Sequence, residues 1–234
     1  MALPKLNDSP KYEIEVPSTG KVVRYRPYLV KEEKVLMIAF ESGNQKQALQ
    51  AIVDTLSACI QDKIDLSGLS TFDIEYLFTQ IRSKSVGETS TVMLKCSSCE
   101  KQNEYSFDIS SVKIEMPEVE NVIEISPSIS VEMRYPSYES VINTDLNAAE
   151  MEVGFNMVLN SITAILTEEE RIATEDVSRK ELVEFVESMD QFQFKKLAEY
   201  LRLMPALEHE AKFKCMECGE DNELMLRGMQ DFLS

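Results

Sequence analysis

Two Cys-x-x-Cys pairs, Cys96-Ser-Ser-Cys99 and Cys215-Met-Glu-Cys218, stand in the same local setting and constrain this chain more than any other feature. Each follows a lysine and runs into polar residues, and each lies between segments that read as strands. These are Thr89 to Lys95 and Glu104 to Ile109 around the first pair, and Ala211 to Lys214 and Glu223 to Leu226 around the second. A tight turn between two strands aims both sulfurs at one point and offers backbone N–H groups that stabilise thiolates. Gly219 suits such a turn. Tetrahedral Zn2+ takes four ligands and each knuckle supplies two, so one structural Zn2+ held by Cys96, Cys99, Cys215 and Cys218 uses the whole set. Residues 100–214 separate the pairs, far more than the ~15–20 residues of an ordinary zinc ribbon, so the metal would be a long-range clasp. A thioredoxin-like redox pair opens a helix after a strand, which neither pair does; a disulfide within each pair and a site that has lost its metal remain as alternatives.

The matched knuckles belong to a longer correspondence. A shift of 119 residues places Lys95 to Cys99 on Lys214 to Cys218 and Asn103-Glu104 on Asn222-Glu223. A shift of 109 places Ile14-Glu15-Val16 on Ile123-Glu124-Ile125, Val22 on Val131 and Pro27 on Pro136. The fold expected is therefore α+β, an internally duplicated unit of β-hairpin, helices and Cys-x-x-Cys knuckle, with a zinc-ribbon-like clasp joining the halves. The first repeat covers 1–114, the acidic, proline-bearing stretch 115–120 is the linker, and the second repeat covers 121–234. The knuckles should be related by an approximate two-fold axis.

In the first repeat, Tyr12 to Val16 and Lys21 to Arg26 form a hairpin about Pro17-Ser-Thr-Gly20. Helices follow at Lys31 to Glu41, with Val35, Ile38 and Ala39 at helical spacing, through Ala48 to Ile60, and from Ser70, where Asp73 occupies the capping-box position. In the second repeat come strands at Val122 to Ile125 and Ile129 to Arg134, a helix started by Pro136, a long helix around Ala148 to Leu166, and helices starting near Ser178 and Asp190.

Other chemistry-bearing residues receive plainer assignments. Cys59 lies on an apolar helical face as a small buried hydrophobe, His209 is expected as an exposed strand-end residue, and Glu168-Glu169-Glu170 reads as a solvated turn. The sequence contains no nucleotide-binding glycine loop, His-Glu-x-x-His or Gly-x-Ser-x-Gly, so no catalytic residue is assigned. With 24 Lys+Arg against 41 Asp+Glu, the net charge of −17 disfavours nucleic acid and anionic membranes as partners. The opening residues lack the apolar stretch of a signal peptide, and the expectation is a soluble protein that stays where it is made. The cluster Met189, Phe192, Phe194, Leu197, Tyr200, Leu201, Leu203 and Met204 is wider than one helical stripe. Its members Met189, Phe192, Phe194 and Met204 are the candidate partner surface.

The segment from Leu3 to Lys34, with its Pro-Ser-Thr-Gly turn and its Arg26-Pro-Tyr-Leu-Val-Lys-Glu-Glu33 run, followed by helices and Cys-Ser-Ser-Cys, resembles the baseplate hub subunit family of T-even-type contractile-tailed bacteriophages. That resemblance implies a role as a hub component or hub assembly factor, with hub and tape-measure proteins as partners. It places the protein in the cytoplasm of the infected host, with the virion baseplate as its second location, and it supplies no catalytic residues. Two other readings stand beside it: a chaperone of the tape-measure protein that leaves before the virion is finished, and a zinc-dependent or thiol redox enzyme.

Overall fold

The computed structural model describes residues 10–144 and 149–233; Leu3 to Ser9 of the family-like segment and Ala148, the expected start of the long helix, lie outside them. In chain order the elements are β1 (Tyr12–Glu15), β2 (Val22–Tyr25), α1 (Val30–Glu41), α2 (Gln45–Cys59), α3 (Thr71–Val86), β3 (Thr89–Lys95) and β4 (Gln102–Asp108). They continue with β5 (Val122–Ser126), β6 (Ile129–Met133), α4 (Tyr138–Asn143), α5 (Glu150–Ser161), β7 (Ile162–Thr167), β8 (Arg171–Ala173), α6 (Arg179–Glu187) and α7 (Gln191–Arg202). The last are β9 (Glu208–Lys214), β10 (Asp221–Arg227) and α8 (Gly228–Leu233). The class is α+β with small antiparallel sheets, which among the described residues are three two-stranded hairpins and one four-stranded sheet of order β5-β6-β7-β8.

The chain divides into two compact units, Met1–Glu115 with Ala206–Ser234, and Met116–Pro205. This division differs from the expected repeat boundaries of 1–114 and 121–234, because the segment carrying the second knuckle belongs with the first. The physical reason is a shared core. Strands β3 and β4 bury Val92, Leu94 and Phe107, and these pack with Leu207, Ala211 and Leu226 from the β9–β10 region and with Phe232 of α8. Strict alternation along β3, with every second residue buried, is what a hairpin with one wet face requires. Helix α8 is anchored on β3, where the Ser90 hydroxyl donates to the Phe232 carbonyl (2.6 Å).

In the remainder of this unit, the β1–β2 hairpin turns at Pro17 to Gly20, and Gly20 takes a left-handed φ of 65°. After α2 the chain returns beside β2: the Arg26 N–H donates to the Cys59 carbonyl (3.1 Å) and the Gln61 N–H to the Arg24 carbonyl (2.8 Å). Helix α1 buries Leu36 and Ala39 together with Glu32, whereas Val35 and Ile38, expected on its inner face, are 52% and 59% exposed. Glu32 sets that rotation. Its carboxylate accepts from the Arg26 guanidinium (2.9 Å) and from the Leu29 N–H (2.7 Å), so the 32/36/39 face turns inward. At α3 the expected capping box forms, and it reaches further. Asp73, fully buried, accepts from the Ser70 N–H (3.1 Å) and also from the Ser18 N–H (2.9 Å), tying the helix to the hairpin turn. Burial pushes the Asp73 carboxyl above its usual range against the pull of the Ser18 and Ser70 hydrogen bonds.

The second unit is the four-stranded sheet with helices over its core. Ile125, Val131, Met133 and Ile162 of the strands meet Val158 and Leu159 of α5, Leu182 and Val186 of α6, and Leu197 and Tyr200 of α7. The expected long helix stops at Ser161. Ile162-Thr-Ala-Ile-Leu-Thr167 is β-branched and becomes β7, pairing along β6, with the Arg134 N–H on the Ser161 carbonyl (2.8 Å). The three glutamates after Thr167 form the exposed β7–β8 turn, as a solvated run should. The helix expected from Pro136 begins at Tyr138 instead, because the Ser137 hydroxyl caps it by accepting the Ser140 N–H (3.2 Å). The starts at Ser178 and Asp190 hold, both as capping boxes.

Asp73→Ala removes the acceptor for two backbone N–H groups at once. We expect a loss of about 2 kcal/mol in urea unfolding, with Asp73→Asn, which retains one carbonyl acceptor, falling between the two.

Candidate metal centre

The two knuckles are built alike. In the first, the Cys96 N–H donates to the Lys101 carbonyl (2.9 Å) and the Glu100 N–H to the Cys96 carbonyl (3.0 Å); in the second, the Cys215 N–H donates to Glu220 (2.8 Å) and the Gly219 N–H to Cys215 (3.0 Å). Closing so tight a turn needs one left-handed residue. Gly219 fills that position with φ 75°, as its place in the sequence suggested, and Glu100 fills the matching one with φ 59°, the only non-glycine at positive φ among the described residues.

The four sulfurs converge. All four Sγ atoms lie within 4.8 Å of one another, an arrangement that could hold a metal ion. The Cys96–Cys218 and Cys99–Cys215 separations, 3.7 and 3.6 Å, match the ~3.8 Å edge of a tetrahedron whose corners lie ~2.3 Å from its centre. Cys96 and Cys215 are buried, Cys99 is half-buried and Cys218 is exposed, so the cluster has one edge at the surface. All five cysteines are free thiols.

Electrostatics within the cluster are divided. The Cys99 N–H draws Cys96 below the usual thiol range, and the Cys218 N–H draws Cys215 down to about 6. The Glu220 N–H pulls on Cys218 in the same sense, but Cys99, burial, Cys215 and Cys96 outweigh it and push that thiol up to about 12. Cys99 is also raised, the pull of the Lys101 N–H being overcome by burial and by Cys215 and Cys96. Sulfurs this close share protons and do not all ionise at neutral pH unless a cation sits among them.

Two residues that sequence reasoning left without a role complete the site. The Asn103 carbonyl oxygen accepts the Met216 N–H (2.9 Å), and the Asn222 carbonyl oxygen accepts the Ser97 N–H (2.8 Å), so each knuckle caps the other. The only signal for them in the sequence is that they coincide under the 119-residue shift.

The other candidates fall elsewhere. Cys59 is buried at the end of α2, and desolvation raises its thiol to about 11, in keeping with a packing role. His209 is half-buried rather than exposed: its ring stacks on Phe107 (4.4 Å between centroids) and meets the Tyr105 hydroxyl (3.1 Å), and burial lowers its pKa. Of the aromatic and methionine cluster, Leu197 and Tyr200 are core. Met189 and Phe194 are half-buried against that core, Met204 is half-buried, and Phe192 is 81% exposed.

Residues 9–234 match the family described as T4 bacteriophage base plate protein, and the chain belongs to that family. Among individual proteins it is similar to the baseplate hub assembly protein gp26 of Enterobacteria phage T4, at 24% identity over 222 residues that cover 95% of this chain and 97% of the relative. No solved structure matches it.

Gly219→Ala tests the left-handed turn. The nearest atom to an added Cβ is 3.9 Å away, so backbone strain alone acts, and thermal unfolding should register a loss of about 1 kcal/mol.

Proposed function

We propose that this protein is a non-enzymatic baseplate hub subunit or hub assembly factor that works through protein–protein contacts. The observation that carries the reading is the near end-to-end match, in both directions, to a hub assembly protein. Such coverage favours a shared role of the whole chain over one borrowed segment. A four-sulfur shell leaves no open position for substrate or water, which weighs against the zinc-dependent enzyme. Hub and tape-measure proteins are the proposed partners, in the cytoplasm of the infected host and, for a lasting subunit, in the virion baseplate. The charge of −17 weighs against nucleic acid and anionic membranes. The word "assembly" in the relative's description supports a second reading, a chaperone of the tape-measure protein absent from the finished virion.

The cofactor we propose is one structural Zn2+ on Cys96, Cys99, Cys215 and Cys218, clasping the two members of an internal duplication. Support for the duplication lies in parallel local construction. Each repeat member runs hairpin, two helices and a return beside the second hairpin strand, through the Arg26–Cys59 bond in one and the Arg134–Ser161 bond in the other, before its capped helix or helices (α3 in the first, α6 and α7 in the second) and its knuckle. Protein purified without chelator should carry one zinc per chain, with Zn–S distances of about 2.3 Å by X-ray absorption. Cys215→Ser should lower the melting temperature of the whole knuckle unit, since the clasp also restricts the unfolded chain. Zinc-free protein, or an unchanged melting curve, would remove the clasp.

For the partner surface, Phe192 is the member best placed to meet another protein, with Phe194, Met189 and Met204 as its flanks. In complementation of a phage lacking this protein, Phe192→Ala should abolish or reduce contractile tails in electron micrographs while the purified variant melts normally. Normal tails from the unsupplemented knockout would end the assembly reading. Mass spectrometry of purified virions then separates the lasting subunit, which is found in them, from the chaperone, which is not.

A further inference from the structure

We propose that Asn103 and Asn222 are metal-positioning residues, each hydrogen-bonding the buried cysteine sulfur of the opposite knuckle and holding it in ligating register. The inference rests on the zinc reading above and extends it to the side chains behind the ligands.

The contacts are reciprocal. The Asn103 amide donates to the Lys101 carbonyl of its own knuckle (3.0 Å) and to the Cys215 sulfur of the other (3.6 Å), while its oxygen accepts the Met216 N–H (2.9 Å). The Asn222 amide donates to the Glu220 carbonyl (3.0 Å) and to the Cys96 sulfur (3.5 Å), while its oxygen accepts from the Ser97 N–H (2.8 Å) and hydroxyl (2.9 Å). Both side chains are buried, at 4% and 5% exposure, and both direct an N–H at the buried sulfur of the opposite turn.

Residue chemistry explains the choice. The position needs two donors and an acceptor on a short stem, which among side chains of this length only asparagine supplies. Aspartate would keep an acceptor but offer no donor, and would set a carboxylate against a thiolate. Leucine would remove the oxygen that accepts the Met216 or Ser97 N–H and so the cap between the knuckles. A dication with four thiolates is doubly negative, and this chain is itself strongly acidic, so N–H donors that draw charge off the sulfurs favour the loaded site. The oxygen caps meanwhile join the two knuckles through bonds that involve no ion, so the sulfurs are gathered before metal binds.

The test uses the full chain, stripped by chelator under reducing conditions and titrated with Co2+, followed by Zn2+ competition against a chromophoric chelator. Wild type should give the sulfur-to-cobalt charge-transfer absorption of a tetrathiolate site. Asn103→Asp and Asn222→Asp should each weaken Zn2+ binding about 10–100-fold and move that absorption to lower energy, because a sulfur that loses its N–H donor is more electron-rich. Should the charge swap unfold the metal-free chain by circular dichroism, Asn103→Ala and Asn222→Ala remove the donors without adding charge, with the same two shifts expected. Variants that melt earlier but keep wild-type affinity and absorption energy would make the asparagines merely structural and overturn the inference while sparing the metal reading. A wild-type chain that binds neither Co2+ nor Zn2+ overturns both.

Discussion

Four ionisable sulfurs held within 4.8 Å of one another repel as soon as a second proton leaves, and something must compensate. The protein meets part of that demand with directed N–H groups. Backbone amides of each turn point at its own first cysteine, and the amide of the opposite asparagine points at the same atom. Hydrogen bonding alone leaves Cys99 and Cys218 raised, and the four sulfurs are close enough that a metal ion could sit among them. The hairpins β3–β4 and β9–β10 are the stems that carry these turns, and their inner faces form one apolar core with α8. The stacked ring of His209 on Phe107 extends that core across both hairpins, which is why burial rather than solvent governs this histidine.

Away from the sulfurs, single carboxylates do comparable organising work. Glu32 turns α1 through Arg26 and the Leu29 N–H, and Asp73 ties α3 to the turn at Ser18. Both are buried acids that hold backbone N–H groups in place, so each acts at a junction between elements rather than inside one. Rotating α1 in this way leaves Val35 and Ile38 facing outward.

What could be read from the sequence was local. The β3 strand and the caps at Ser70, Ser178 and Asp190 are short-range patterns, and they hold in the structure. The convergence of the four cysteines was legible for a different reason: their number and matched settings fit one tetrahedral ion. Features decided by distant contacts were not legible. Val158 to Leu166 has apolar residues on both sides of Asn160-Ser161 and no glycine or proline to mark where α5 ends and β7 begins, so only pairing with β6 marks the change at Ile162. The inward face of α1 depends on a side-chain ion pair, and the surroundings of His209 depend on a strand contributed by the other hairpin. The asparagines were visible as matched letters, but their function depends on two turns facing each other.

The connectivity of the first unit carries a consequence for synthesis. Its early part, through Glu115, leaves the ribosome well before the strands from Ala206 onward, while Met116–Pro205 is a continuous stretch that can fold on emergence. Until Cys218 and Asn222 are made, Cys96 and Cys99 lack half their shell and their hairpin lacks the apolar face it packs against. A chain interrupted before Cys215 thus presents a bare thiol pair and a hydrophobic hairpin without its partner strands, marks that proteases and chaperones recognise. The cysteine cluster can therefore close only in a copy translated at least through Cys218.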